Sequence, residues 1–220
     1  MKQVAPDVWH LPGWPPGWIN VYLVGDVLVD ASRRGVGPGI VKELGDRSIS
    51  EVALTHVHPD HQGAAGFICE KYAATLACHA DDKALMEGEY DRGSLPLIAR
   101  ISVALFAGPP HRVDRVLAEG DDVAGFTVYH TPGHSPGHVV FFRERDGVAI
   151  VGDVVNTMNL ATTARGLHEP PTGFTPDPVQ NRRSIRKLAE LDPQVICAGH
   201  GPVWRDRPAF KEFVRRLPQD

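Results

Sequence analysis

At 220 residues, with 42% hydrophobic and 23% charged side chains, the chain has the length of one large domain and the composition of a protein with a real core. A net charge of −4 gives no electrostatic footprint for nucleic acid, and no basic cluster suggests a membrane surface. No apolar run is long enough to cross a bilayer, and the N-terminal stretch lacks the apolar core of a signal peptide, so a cytoplasmic protein acting on a small molecule is expected.

The first strands are expected at Ile19–Val24 and Val27–Val29, paired through a Gly25-Asp26 turn. Val36–Leu44 reads as a short helix closed by Gly45, and Ser48–Thr55 as a buried strand that stops at His56. Apolar spacing predicts a helix over Gln62–Tyr72, a strand at Thr75–His79, a helix from Ala80 to Glu87 and an apolar helix over Ser94–Phe106. Further strands are expected at Phe126–His130, Gly137–Arg143 and Gly147–Val151, the last two joined by an Asp146-Gly147 turn. Asn159–Pro178, rich in Gly, Pro and Thr, reads as an irregular loop. Asp177 is then a candidate cap for a helix over Pro178–Leu191. A short strand at Val195–Ala198 and a helix over Arg207–Leu217, with Pro208 in its first turn, complete the chain. No repeat or linker divides it, so residues 1–220 are read as one α/β domain of layered sheets with helices outside. Cys69, Cys78 and Cys197 match no disulfide framework and are expected as buried free thiols.

The chemistry is concentrated in histidine. Thr55-His56-Val57-His58-Pro59-Asp60-His61 places four metal-capable side chains within six residues at the end of a predicted strand. Alternation in extended chain lets His56, His58 and Asp60 face one cavity, with His61 where the chain turns into a helix. At this composition such a pattern arises by chance about once in five hundred sequences, so solvated loop histidines are a poor explanation. Imidazole and carboxylate together suit zinc, iron or manganese rather than calcium. Three more metal-capable side chains follow predicted strands beside glycines: His134 in Thr131-Pro132-Gly133-His134, Asp153 in Gly152-Asp153 and His200 in Gly199-His200-Gly201.

The order His-x-His-x-Asp-His, then the TPGH loop, then Gly-Asp, then Gly-His, resembles the metallo-β-lactamase superfamily over nearly the whole chain. The resemblance implies a four-layer αββα sandwich with two metal ions at one edge of the packed sheets. By position, His56, His58 and His134 hold the first ion; Asp60, His61 and His200 hold the second; and Asp153 bridges them. Two divalent ions are implied, zinc first, with manganese or iron as alternatives. Such a pair lowers the pKa of a shared water, and the resulting bridging hydroxide attacks a carbonyl substrate: a thioester, lactone or related ester. Asp60 is placed as the catalytic residue that orients the nucleophile.

Asp30, Thr55 and Thr131 are candidates to orient the ligating imidazoles. Trp18, in the rigid Trp14-Pro15-Pro16-Gly17-Trp18 segment, and His168, in the long loop after Asp153, are candidate substrate contacts. Leu97, Ile101, Leu105 and Phe106 are expected as packed core or a dimer surface, leaving a monomer or homodimer open. Of the remaining histidines, His10, His79, His111, His130 and His138 match no ligand position.

Within this resemblance, glyoxalase II and the acyl-homoserine lactonases are the nearest patterns. The former add a C-terminal helical region that grips glutathione, whereas fewer than twenty residues follow Gly201 here, and the latter place a tyrosine shortly after the bridging aspartate, where this chain has Val154 to Leu160. An exported β-lactamase would carry a signal segment. A phosphodiesterase would need a basic stripe. A persulfide dioxygenase-like mono-iron oxidoreductase remains the alternative of a different class, whereas flavin-coupled di-iron relatives replace the second histidine, here His58, with glutamate.

Overall fold

The computed structural model of the protein describes residues 1–13, 17–89 and 97–219. A seven-stranded sheet runs in sequence order: β1 (Lys2–Ala5), β2 (Val8–Pro12), β3 (Asn20–Val24), β4 (Val27–Val29), β5 (Glu51–Ala53), β6 (Thr75–His79) and β7 (Arg115–Leu117). The first four are antiparallel; β4 to β7 are parallel, as helical crossovers require. A five-stranded sheet is ordered β14 (Val195–Ala198), β11 (Val148–Gly152), β10 (Val139–Arg143), β9 (Phe126–His130) and β8 (Asp122–Val123). A small third sheet pairs β12 (Asn156–Met158) with β13 (Arg165–His168).

The period of two along each strand explains the layering. In β10, Val139 and Phe141 face the other sheet while Val140 and Phe142 face helices; in β11, Val148 and Ile150 divide from Ala149 and Val151 in the same way. In β3, Tyr22 and Val24 point between the sheets, and Val21 and Leu23 point to the opposite helical layer. Both faces are covered, so these strands are buried at every position and read as continuous apolar runs. Helices α1 (Gly37–Leu44), α3 (Ala65–Tyr72) and α4 (Ala80–Met86) supply apolar residues to the layer over the first sheet. Helices α6 (Pro178–Glu190) and α7 (Arg207–Arg216) cover the second through Ile185, Leu188 and Phe210. The result is the αββα sandwich, with the three cysteines free and buried inside it.

Several expectations change. The helix expected over Gln62–Tyr72 is two helices, α2 (Pro59–Gln62) and α3. They part at Gly63, where an added Cβ would meet the Arg34 backbone nitrogen at 2.2 Å and the Phe106 carbonyl oxygen at 2.4 Å. The loop expected over Asn159–Pro178 contains β13 and a 3-10 turn at Thr172–Phe174. Strands β1, β2, β7 and β8 were not expected; most are short and lie toward sheet edges, where one-sided burial weakens the apolar pattern. Helix α5 (Leu97–Phe106) exists, but Leu97, Ile101 and Leu105 are exposed, at 71%, 50% and 59%, so they are not packed core. The expected start of that helix at Ser94, and Trp14 to Pro16 of the rigid segment, lie outside the described residues.

Strands β5, β9, β11 and β14 all end at one rim of the sandwich. β9 and β11 share a direction because both are antiparallel to β10, and β14 is parallel to β11. The two sheets are stitched together there by backbone bonds from Val139 to the Thr55 carbonyl and from Asn20 to the Gly199 carbonyl, each 2.8 Å.

Candidate metal centre

The seven residues named from the sequence converge at that rim. His56 and His58 follow β5 in extended chain, and His58 has the extended backbone that precedes α2 (φ −79°, ψ 153°). Pro59 takes the first helical position, where its fixed φ suits the turn, and so starts α2. Asp60 therefore reaches the site from the first turn of a helix, not from the extended run that alternation suggested. His61 ends up fully buried beneath it.

Donor atoms of His56, His58 and His134 lie within 4.8 Å of one another, and so do those of Asp60, His61 and His200. Asp153 stands between the two sets: its Oδ1 is 3.5 Å from His61 Nε2, and its Oδ2 is 3.5 Å from His134 Nε2 and 3.0 Å from His200 Nε2. Asp60 Oδ2 is 3.4 Å from His200 Nε2. The glycine beside His200 has to be a glycine: a Cβ on Gly199 would sit 2.3 Å from Asp153 Oδ1 and 2.5 Å from His61 Cε1. Gly152, at φ +49°, would drive a Cβ to 2.6 Å from Thr55 Oγ1.

Four of the rings are held through Nδ1. His61 Nδ1 donates to Asp30 Oδ2 at 2.8 Å. His200 Nδ1 donates to the Trp18 carbonyl. Thr175 Oγ1 donates to the Pro171 carbonyl, so it accepts from His134 Nδ1 at 3.1 Å. Thr55 Oγ1 donates to Asp30, so it accepts from His56 Nδ1, also at 3.1 Å. The Nε2 atoms of His56, His61 and His134 and Oδ1 of Asp153 are buried without any hydrogen-bond partner. Buried polar atoms are normally satisfied, so several orphans aimed at one space fit a site built to hold cations. The donor set fits divalent transition ions, which need neutral imidazole and carboxylate ligands oriented by outer contacts of this kind.

The electrostatics agree. Burial pushes His56 and His134 well below the usual imidazole range, and their neighbouring imidazoles push the same way, so their lone pairs are free. Burial acts against His200 too, but Asp153 and Asp60 reverse it and raise it to about 10; Asp153 and Asp30 likewise raise His61. Burial would raise the carboxyls of Asp60 and Asp153, yet the adjacent His200 and His61 hold both below the ordinary carboxylate range. The carboxylates of Asp60 and Asp153 thus favour positive charge on the rings beside them, and the cluster as a whole attracts cations.

Asp30 and Thr55 orient His61 and His56 as anticipated. Thr131 does not touch a member of the seven: it accepts from His138 Nδ1 at 2.9 Å, and His138 Nε2 accepts from the Asp153 backbone N–H at 3.0 Å. His138 therefore positions Asp153, a part the sequence left unassigned. Asp82 was missed altogether. Buried in α4, it accepts from Val57 N and Ser135 Oγ on one oxygen and from Gly137 N on the other, tying the His56–His58 segment to the His134 loop. Thr175, in the region read as an irregular loop, was also missed. Only the surrounding Thr175-Pro176-Asp177-Pro178 turn chemistry marked it.

Trp18 is 38% exposed, and its backbone rather than its ring is what the site uses directly. His168 lines a cavity of about 200 Å³ with Asn156, Met158, Leu160, Ala161 and Pro171. Its Nε2 and Asn156 Oδ1 are unpartnered there, and the two residues sit opposite each other across β12 and β13.

Comparison with known proteins agrees with this geometry. The chain is 32% identical over 200 residues to the probable metallo-hydrolase YflN of Bacillus subtilis, covering 80% of this chain and 75% of that protein. It is 29% identical over 166 residues to the hydroxyacylglutathione hydrolase GloC of Haemophilus influenzae, covering 73% and 72%. A metallo-beta-lactamase family protein from Thermus thermophilus superposes with a TM-score of 0.71 at 26% identity, over 96% of this chain and 79% of that one. TTHA1623, solved in a di-iron-bound form, superposes with a TM-score of 0.70 at 28% identity, over 96% and 98%. The profile of the metallo-beta-lactamase superfamily matches residues 14–200, and the chain belongs to that superfamily.

Proposed function

We propose that this metal-dependent hydrolase cleaves a small carbonyl ester (a thioester, lactone or related ester) at a two-ion centre held by His56, His58, His134, Asp60, His61, His200 and Asp153. The observation that carries the reading is the set of orphaned donor atoms on His56, His61, His134 and Asp153, each ring fixed through its other nitrogen. Divalent ions held by these residues would acidify a bound water and polarise the carbonyl oxygen.

The chain's own residues do the rest. Asp60, kept ionised by His200 and His61, accepts a hydrogen bond from the attacking water and aims it. Asp153 spans both histidine sets and fixes their separation. The exposed Trp18 ring and the Asn156–His168 cavity are the walls available to the rest of the substrate; the cavity's mixed lining, with Asn159 and Glu169 beside Met158 and Leu160, suits a body that is partly polar. Zinc is the first choice of ion, with manganese or iron as alternatives. The likeness to a hydroxyacylglutathione hydrolase supports the ester class, and the acidic net charge weighs against phosphodiesters of nucleic acids.

The test is turnover of thioester, lactone and phosphodiester panels by protein purified without chelator. A carbonyl ester should be hydrolysed, and Asp60→Asn should lower kcat by at least about 100-fold, as loss of a positioned proton acceptor does. Turnover of phosphodiesters alone, or oxidation of a persulfide with a single bound iron, would replace this reading.

A further inference from the structure

His10 matches no ligand position, yet it ends a chain of contacts that reaches His200. It lies on β2 directly opposite Tyr22 on β3, and the two rings stack with centroids 5.2 Å apart. Asn20, two residues before Tyr22, shares its face of β3 and so points between the sheets, toward the end of β14. Asn20 is fully buried. Its Nδ2 donates to the Ala198 carbonyl at 2.9 Å and to the Gly201 carbonyl at 2.7 Å. Tyr22 Oη donates to the same Ala198 carbonyl at 2.8 Å. The backbone joins in: Asn20 N–H donates to the Gly199 carbonyl, Gly201 N–H donates to the Gly17 carbonyl at 2.6 Å, and His200 Nδ1 donates to the Trp18 carbonyl. Every residue from Ala198 to Gly201 is thus held by the Gly17–Tyr22 stretch.

Hydrogen-bond chemistry fixes the Asn20 amide. Two carbonyl oxygens need donors, so Nδ2 faces them and Oδ1 is left to accept. The atom that Oδ1 meets is His10 Nε2, at 2.8 Å. His10 therefore carries a proton on Nε2 and donates it. That bond locks the amide in the one orientation that serves both Ala198 and Gly201.

We propose that Asn20, oriented by His10, is a positioning residue for His200: it clamps the two carbonyls that bracket Gly199-His200 and so sets the affinity of the ion held by Asp60, His61 and His200. Resting on the two-ion reading, this assignment makes the ions unequal. Asp60 and His61 take their places from α2 and Asp30, while His56 and His134 are held by Thr55 and Thr175. None of these contacts passes through Asn20. Loosening the His200 loop should therefore weaken one ion and spare the other.

The experiment strips zinc-loaded wild type, Asn20→Asp, His10→Leu and His10→Gln with a graded chelator, counting ions per chain by native mass spectrometry. Asn20→Asp keeps the side chain's shape and loses its donors. It should release one ion at a free-zinc level at least about tenfold higher than wild type does, the lower end of what loss of an outer contact costs, and hold the other as wild type does. His10→Leu frees the amide to turn and should shift the same ion in the same direction. His10→Gln, whose amide nitrogen can still donate to Asn20, should restore wild-type retention. A general loss of packing would weaken both ions and would not separate glutamine from leucine. In metal-free protein, hydrogen exchange at the Gly201 amide should speed by about tenfold in Asn20→Asp, the equivalent of one hydrogen bond, while the amides of β10 keep their protection. His10 is only half-buried, so its two variants keep the test decisive even where Asn20→Asp folds poorly. Equal retention of both ions in wild type, Asn20→Asp and His10→Leu would overturn the proposal alone. A wild type that binds no zinc would overturn the two-ion reading with it.

Discussion

Asp82 shows how much of the site depends on side chains that touch no ion. Its two oxygens accept three hydrogen bonds from three positions in two separate segments. Asp82→Ala strands those donors in the interior, where each unpaired group costs about 1–3 kcal/mol. We expect a loss of about 3 kcal/mol or more in urea unfolding, together with weaker retention of the ion nearest His134. Asp30→Ala is predicted to cost metal affinity about 10–100-fold, because it frees the His61 ring and unseats Thr55 beneath His56. Competition with a chelator reads this directly, and unchanged affinity would remove Asp30 from the centre.

The same residues set a pH dependence. In the metal-free chain His61 and His200 are raised above the imidazole value of 6.5, His200 to about 10. A folded-state pKa above the unfolded one stabilises fully below the unfolded value, and that stability is lost as pH rises through the folded one. The depressed carboxylates and imidazoles have finished titrating below this window. Metal-free protein should therefore lose stability between about pH 7 and about pH 10, as measured by urea midpoints. Loading zinc near neutral pH should expel the two protons, which calorimetry in buffers of different ionisation enthalpy detects. A flat or rising midpoint would show that the two rings are neutral without metal. The ligands themselves were legible because His56 to His61 is contiguous and His134, Asp153 and His200 each follow a strand beside glycine. Asp82 and Thr175 were not, because a partner 25 or 41 residues away leaves no local mark.

At the scale of elements, strand ends decide the arrangement. β5, β9, β11 and β14 deliver their following residues to one rim, and glycines let the backbones pass within contact of the ligands. Gly199→Ala is the sharpest test, since its Cβ would lie 2.3 Å from Asp153 Oδ1 and 2.5 Å from His61 Cε1. The variant should fold, with the near-native circular dichroism that a single rim substitution allows, but lose metal and turnover. Full activity would mean the rim is looser than these distances imply. Interior strands were readable as apolar runs, whereas the short strands β1, β7 and β8 carry too little pattern, and the Pro59 helix start displaced the alternation expected to carry Asp60.

At the scale of the molecule, the candidate ligands divide between the halves of the sandwich: His56 to His61 follow the first sheet, while His134, Asp153 and His200 follow the second. Ions held there would cross-link the two sheets. Removing them with chelator should lower the Tm, by an amount set by mass action: at a free ion concentration 100 times Kd, each site adds about 2.7 kcal/mol. The layered architecture was legible from strand and helix alternation and from the resemblance together. The placement of α5 was only partly so: a helix apolar along its length reads equally as core or as a dimer surface, and the fold rules out the core for Leu97, Ile101 and Leu105, which face outward.

The most direct measurement of the central claim is the ion count per chain in wild type and His58→Ala, by native mass spectrometry after gel filtration has stripped loosely held metal, with hydrolysis of the best carbonyl ester followed in the same samples. The account predicts two ions in wild type, loss of at least one in His58→Ala, and a fall in kcat/KM of at least about 100-fold. Two ions retained with hydrolysis intact in His58→Ala, or a wild type that hydrolyses the ester with no metal bound, would contradict it.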